Sequence, residues 1–331
     1  MAGPVETLGI SHLVSGGLIT NYSCPSRCRH CLYRSGPRWP RHYMDRATAL
    51  ENLRAVRALG CRAVHVGGGE PFLDPEGLMA VLDGAREAGV RVEYVETNGS
   101  WYRDHREACT RLEGLAERGV DTLLVSISPL HNEHIPFSRV QGVVRACRDV
   151  GMRVFPWVAD FVPEIERLDP DKPHPLEEYE RVYGPGYVRR LPNRYWIAPG
   201  GRALETFGPF QPLHPVEELA ALGGCRELAR ADHFHLDLYG NYVPGLCAGL
   251  SVRREDLGSP LDPQRYPVIT ALYAGGVGAL VDWAARRFGY RPARDAYPWK
   301  CALCYEVRRF LVVERGVSSP ELQPAGHYRY G

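Results

Sequence analysis

The sequence predicts an α/β protein: a parallel sheet built from repeated strand–helix units, then a smaller C-terminal part of α+β character. Two observations carry this. Between residue 17 and about residue 160, short apolar runs alternate with stretches whose apolar residues recur at three- and four-residue steps. From about Phe207 that alternation stops, and a hairpin signal and two helical stretches replace it.

In chain order the strand candidates are Gly17–Tyr22, Arg62–Val66, Arg91–Val95, Thr122–Ser128 and Arg153–Val158. Between them lie the helix candidates Arg46–Leu59, Pro75–Ala88, Asp104–Arg118 and Phe137–Val150. Repeats of roughly thirty residues imply parallel strands joined by right-handed crossovers. A barrel and a doubly wound sheet both fit that pattern. A Pro-rich stretch runs from Val162 to Asn193, and Arg194–Ile197 reads as a sixth strand. Further on, His233–Leu238 and Tyr242–Pro244 flank Gly240-Asn241, a hairpin turn pair. An amphipathic helix over about Gln264–Phe288 and a final helix over Tyr305–Arg315 complete the pattern.

With 40 Lys and Arg against 39 Asp and Glu, the formal net charge is +1, so no long-range field favours nucleic acid or a membrane surface as partner. No apolar run is expected to span a membrane. The opening Met-Ala-Gly-Pro-Val-Glu-Thr lacks the basic and apolar blocks of a signal peptide, so a cytoplasmic location is expected. Ten cysteines in such a compartment point to metal or catalytic use rather than disulfides. Cys61, Cys109 and Cys147 stand apart from the others and read as small buried hydrophobes.

Cys24, Cys28 and Cys31 form Cys-Pro-Ser-Arg-Cys-Arg-His-Cys, a C-x3-C-x2-C loop just after the first strand candidate. Three thiolates with no fourth nearby leave a coordination position open, which separates a catalytic metal site from a structural one. A zinc knuckle completed by His30 is the alternative, disfavoured because the side chains of His30 and Cys31 are adjacent and diverge. In parallel α/β folds the working groups sit in loops at the carboxyl ends of strands. The second strand ends in Gly67-Gly68-Gly69-Glu70. Its glycines allow a ligand close to the backbone, and Glu70 places a carboxylate where a ligand ammonium pairs with it; a plain strand-to-helix turn is the alternative. The third ends in Thr97-Asn98-Gly99, a common turn pair, and the fourth in Ser126-Ile127-Ser128, whose serines share one side of the strand. His131 and His134 read as exposed loop histidines rather than substrate contacts, and Asp160 as either a pocket carboxylate or a loop acid. Arg27, Arg29 and Arg34 either solvate the cysteine loop or offset the charge of an anionic centre.

The cysteine spacing, with His30 at the usually aromatic position before the third cysteine, resembles the signature of radical S-adenosylmethionine (SAM) enzymes, and Gly68-Gly69-Glu70 resembles their GGE motif. The resemblance implies a partial (β/α)6 TIM-like barrel over residues 1–206, open on one side. There Cys24, Cys28 and Cys31 would hold a [4Fe–4S] cluster whose open iron chelates SAM. Gly68, Gly69 and Glu70 would hold the amino group of its methionine, with Asn98 lining the pocket. Ser126 and Ser128 would meet the ribose hydroxyls or the carboxylate. Related enzymes commonly carry Asp where Ser128 stands, so here a charged contact is missing.

Cys225, Cys247, Cys301 and Cys304 fall in the C-terminal part, where Cys301-Ala-Leu-Cys304 can grip one metal centre from a single turn. The arrangement resembles the auxiliary-cluster module of radical SAM enzymes, the twitch domain or a shortened SPASM domain. The family run Asp-x-x-Gly-x-x-x-Pro-Cys recurs from Asp237 to Cys247 with two extra residues before the cysteine. This implies that residues 207–331 are a small α+β domain holding a second [4Fe–4S] cluster, saturated by four thiolates and suited to electron relay. A four-cysteine zinc site is the alternative. The activity implied is reductive cleavage of SAM to a 5′-deoxyadenosyl radical, which removes hydrogen from a small-molecule or peptide substrate. The net result is an oxidation or a peptide or metabolite modification, with flavodoxin or ferredoxin as an expected electron donor. A first strand near residue 17 is expected to leave no room for a peptide-leader-binding domain. The competing class is a non-catalytic zinc or iron–sulfur binding or sensing protein.

Overall fold

The computed structural model describes residues 6–330, which fall into two compact units. One comprises residues 17–30 and 35–197; the other comprises residues up to 16, 31–34 and from 198 onward.

The first unit is built on strands β1 (Gly16–Ile19), β2 (Ala63–Gly67), β3 (Arg91–Thr97), β4 (Thr122–Ser126) and β5 (Arg153–Trp157). They are parallel and adjacent in the order β5-β4-β3-β2-β1, with Leu18 opposite Val66, Val95 opposite Leu123 and Leu123 opposite Val154. Leu18, Val64, Val66, Val95, Leu123 and Val125 are fully buried, as strands covered on both faces require. Helices α1 (Arg46–Ala58), α2 (Pro75–Ala88), α3 (His105–Ala116) and α4 (Phe137–Asp149) follow the first four strands. Each of the first three starts at an aspartate whose carboxylate accepts an orphan amide: Asp45 from Thr48, Asp74 from Gly77 and Asp104 from Glu107. The result is a parallel α/β sheet consistent with a partial TIM-like barrel.

The expected sixth strand is absent. Residues 194–197 are not a strand. Pro192 lies in a short helical turn just before them, and the Arg194 guanidinium stacks 4.0 Å from the Phe161 ring centre and pairs with Glu164 at 2.7 Å. The β-propensity of Tyr-Trp-Ile is overridden by these side-chain contacts.

In the second unit Phe234–Asp237 and Asn241–Val243 form the expected hairpin, with Leu236 opposite Tyr242, and Val252–Arg253 adds a third antiparallel strand. The Asp237 carboxylate accepts the amides of Tyr239 and Asn241 and so fixes the turn. The long helix starts at Pro267, capped by Glu321, whose two oxygens accept the amides of Val268 and Ile269. It is not continuous. Gly276 adopts φ 74°, ψ −162° where its backbone meets Gly223; a Cβ would stand 1.8 Å from the Gly223 carbonyl oxygen. By length and composition Pro267–Phe288 could cross a membrane, contrary to the expectation from sequence, but half of its apolar stretch is buried inside the structure, as in a core helix. The helix expected over Tyr305–Arg315 also begins earlier than expected. It spans Lys300–Arg309 and ends in a π-helical turn, Phe310–Glu314, so Cys301 and Cys304 lie on it rather than before it.

Candidate functional site

The chain leaving β1 is bound edge-on to the chain leaving β2. Thr20 donates its amide and hydroxyl to the Gly67 carbonyl at 2.9 and 3.0 Å. The Gly69 amide reaches both the Asn21 carbonyl at 2.8 Å and the Asn21 Oδ1 at 2.9 Å. One residue on, the Glu70 amide donates to the Ser23 carbonyl at 3.1 Å. This contact has no room for a side chain, since a Cβ on Gly69 would lie 2.0 Å from the Ser23 oxygen. The Gly68-Gly69-Glu70 segment is therefore fixed against the residues that lead directly into Cys24.

Glu70 is fully buried. Its carboxylate accepts from the Phe72 amide at 3.1 Å, the Thr97 hydroxyl at 2.9 Å and the Asn98 amide at 2.8 Å, tying the end of β2 to the end of β3. Burial pushes its pKa up to about 7, and these hydrogen bonds pull the other way. Glu96, on β3, is also raised to about 7, by desolvation and then by the Glu70 charge.

Asn98 has a partner that the sequence did not reveal. Its Nδ2 donates to Cys24 Sγ at 3.4 Å while its Oδ1 accepts the Ser100 amide at 2.9 Å. The Ser26 amide also donates to Cys24 Sγ at 3.4 Å. Two N–H groups aimed at one sulfur favour its anionic, metal-bound form, so the donor set at Cys24 fits a thiolate ligand. Cys24 and Cys28 are buried and Cys31 is half-buried.

Ser126 ends β4. Ser128 is buried two residues further on, and its Oγ lies 2.8 Å from His131 Nδ1. His131 and His134 are half-buried rather than exposed. His131 meets the His30 ring edge-on at 4.8 Å, and burial, then the charges of His30 and His134, hold it well below the ordinary histidine range. Tyr195 also faces the His30 ring edge-on, at 6.2 Å, and burial raises its phenol pKa, with Cys28 close enough to add to the shift. Assigning residues 194–197 to a strand hid this tyrosine. Asp160 is an exposed loop acid whose carbonyl accepts from Arg194. Of the loop arginines, Arg29 pairs with Glu133 and Glu177, and Arg34 with Glu205 at 2.9 Å, so both charges are balanced locally.

In the second unit four thiols come from three segments and lie near enough for their charges to act on one another. The Cys225 amide donates to the Leu272 carbonyl, Cys247 follows the hairpin, and Cys301 and Cys304 lie three residues apart at the start of the helix Lys300–Arg309. Cys225 is pushed up to about 12 and Cys301 to about 11, and Cys247 further still, chiefly by burial and then by the charges of the other thiols. Thiols so reluctant to ionise are poor nucleophiles at neutral pH, whereas a metal centre displaces their protons and holds them as thiolates. Cys61 and Cys147 are buried as expected and Cys109 is half-buried.

Among solved structures, SuiB of Streptococcus suis bound to S-adenosylmethionine is similar at 16% identity, covering 72% of this chain and 61% of its own, with a TM-score of 0.42. BtrN in complex with AdoMet and 2-DOIA is similar at 16% identity, over 72% and 75%, with a TM-score of 0.37. Native anSMEcpe with bound AdoMet and Cp18Cys peptide is similar at 15% identity, over 52% and 48%, with a TM-score of 0.35. The chain thus spans about half of anSMEcpe and three fifths of SuiB. No curated protein matches it. Residues 18–163, which carry the cysteine loop and Gly68-Gly69-Glu70, match the family model of the Radical SAM superfamily.

Proposed function

We propose that the protein is a radical SAM enzyme in which Cys24, Cys28 and Cys31 ligate a [4Fe–4S] cluster and SAM occupies the carboxyl ends of β2, β3 and β4. When bound, that cluster supplies the electron that cleaves SAM to methionine and a 5′-deoxyadenosyl radical. Gly68 and Gly69 would bring backbone close to the methionine end of SAM. Glu70, fixed by its three donors, would set the shape of that edge and present its charge to the ammonium. Asn98 would hold the Cys24 thiolate, and Ser126 and Ser128 would lie along the ribose or carboxylate.

The observation that carries this reading is the Gly68-Gly69-Glu70 segment bonded to the backbone just before Cys24, inside the stretch that matches the Radical SAM superfamily model. Cys225, Cys247, Cys301 and Cys304 would ligate a second [4Fe–4S] cluster that relays electrons, in a twitch- or SPASM-like domain over residues 207–331. The substrate would be a small molecule or peptide that is oxidised or otherwise modified, and the electron donor a flavodoxin or ferredoxin.

The test is anaerobic reconstitution followed by reduction with dithionite in the presence of SAM. The reading expects 5′-deoxyadenosine and methionine in equal amounts, and about eight irons per chain if both centres are cubanes. Zinc at two equivalents with no acid-labile sulfide, and no 5′-deoxyadenosine, would instead favour the metal-binding or sensing class.

A further inference from the structure

The second unit buries an arginine that has no carboxylate to balance it. Arg308 is 6% exposed and lies one helical turn past Cys304. Its Nε donates to the Cys304 carbonyl at 3.4 Å, and its Nη1 donates to the carbonyl of Ala248, the residue after Cys247, at 3.0 Å. The guanidinium also sits 5.9 and 5.7 Å from the ring centres of Tyr305 and Tyr328. Two other cations of this unit do have carboxylates: Lys300 pairs with Glu227 at 2.7 Å and the buried Arg34 with Glu205 at 2.9 Å. Among the described residues Arg308 has no acidic partner.

A buried charge needs a counter-charge, and the neighbours allow few choices. Tyr328 takes a hydrogen bond from Arg308 at 3.0 Å but donates its own proton to the Gly249 carbonyl at 2.6 Å, so it is a neutral phenol. The groups that remain are the thiol residues it is bonded beside: Cys304, whose carbonyl it holds, and Cys247, next to the Ala248 carbonyl it holds.

We propose that Arg308 is the built-in counter-charge of an anionic metal–thiolate centre held by Cys225, Cys247, Cys301 and Cys304, and that it sets the reduction potential of that centre. The proposal rests on reading these cysteines as cluster ligands. A cubane with four thiolates is anionic and gains one more negative charge on one-electron reduction. A fixed cation in a poorly screened interior stabilises the reduced form more than the oxidised one and so raises the potential. Arg308 acts through the ligands and is a positioning residue.

The test uses the full chain with Cys24, Cys28 and Cys31 changed to alanine, so that only the C-terminal centre forms. Its midpoint potential is read by EPR during titration with dithionite, together with iron and acid-labile sulfide, for the parent, Arg308→Lys and Arg308→Gln. The expected result is a shift to more negative potential in Arg308→Gln at unchanged iron content, with Arg308→Lys close to the parent. An equal potential in Arg308→Gln overturns the proposal. Where Arg308→Gln loses its iron, retention by Arg308→Lys supports the role of charge, and loss from both alike overturns it. A parent that holds zinc and no sulfide sinks the cluster reading instead. Release of that zinc to a chelator then decides: faster loss from Arg308→Gln than from Arg308→Lys supports the counter-charge, and equal rates overturn it.

Discussion

Gly69→Ala tests how the candidate site is held together. The added Cβ would stand 2.0 Å from the Ser23 oxygen and 2.6 Å from its carbonyl carbon, both backbone atoms that cannot rotate away. Restoring an ordinary contact of about 3.5 Å requires the two chains to part by more than 1 Å, roughly. That movement takes the bonds from Gly69 N to Asn21 O and Oδ1, at 2.8 and 2.9 Å, and from Glu70 N to Ser23 O, at 3.1 Å, beyond hydrogen-bonding range. Three such bonds at about 1 kcal/mol each come to about 3 kcal/mol of lost stability. Gly119→Ala is the control: Gly119 has a positive φ, 84°, which Gly69 does not share, but nothing lies within 4 Å of the added carbon, so strain acts there without a clash. That substitution should cost about 1 kcal/mol from backbone strain alone. Urea denaturation of the metal-free protein compares the two, and iron uptake by a variant with only the N-terminal cysteines reports the state of the loop. The reasoning fails if Gly69→Ala is no less stable than Gly119→Ala and takes up iron normally.

Three further outcomes follow from the same geometry. Glu70 has a folded pKa of about 7 against an ordinary 4.5, so folding binds its proton more tightly, and the stability it contributes is complete below pH 4.5 and lost as pH rises through 7. Between pH 5 and 8 wild type should therefore lose stability relative to Glu70→Gln, by as much as about 3 kcal/mol; a difference that is flat or opposite in sign contradicts the burial argument. Asn98→Ala removes the N–H donated to Cys24 Sγ at 3.4 Å and should move the N-terminal cluster to a more negative potential; EPR titration giving an unchanged potential would count against that bond. Cys301→Ala should abolish the C-terminal centre while leaving the N-terminal one, so iron should fall by about half on the two-cubane reading; full iron content would show that Cys301 is not a ligand.

Much of the first unit could be read from its residues. Aspartate caps, glycine stops and runs such as Val64-His65-Val66 are local signals, and local signals determined where the five parallel strands and their helices begin and end within a few residues. What stayed hidden depends on tertiary partners. The Tyr-Trp-Ile run looks like a strand until Arg194 is seen on Phe161 and Glu164. The break at Gly276 exists because Gly223 lies against it, and a lone glycine within an apolar helix does not announce that contact. The sequence put Glu70 and Asn98 in the same neighbourhood, but it could not show that the Glu70 carboxylate accepts from three protein donors or that Asn98 reaches Cys24. Arg308 gave no signal at all, because an arginine on a helix is ordinarily exposed; only its burial without an acid made it informative.

The most direct test is EPR of the reduced N-terminal cluster, in protein whose four C-terminal cysteines are changed to alanine, before and after SAM is added. The account predicts a change in the signal on addition, because SAM occupies a coordination position that Cys24, Cys28 and Cys31 leave free, and loss of the signal in Cys24→Ala. A spectrum that stays the same with SAM at saturation, from a fully loaded cluster, contradicts it.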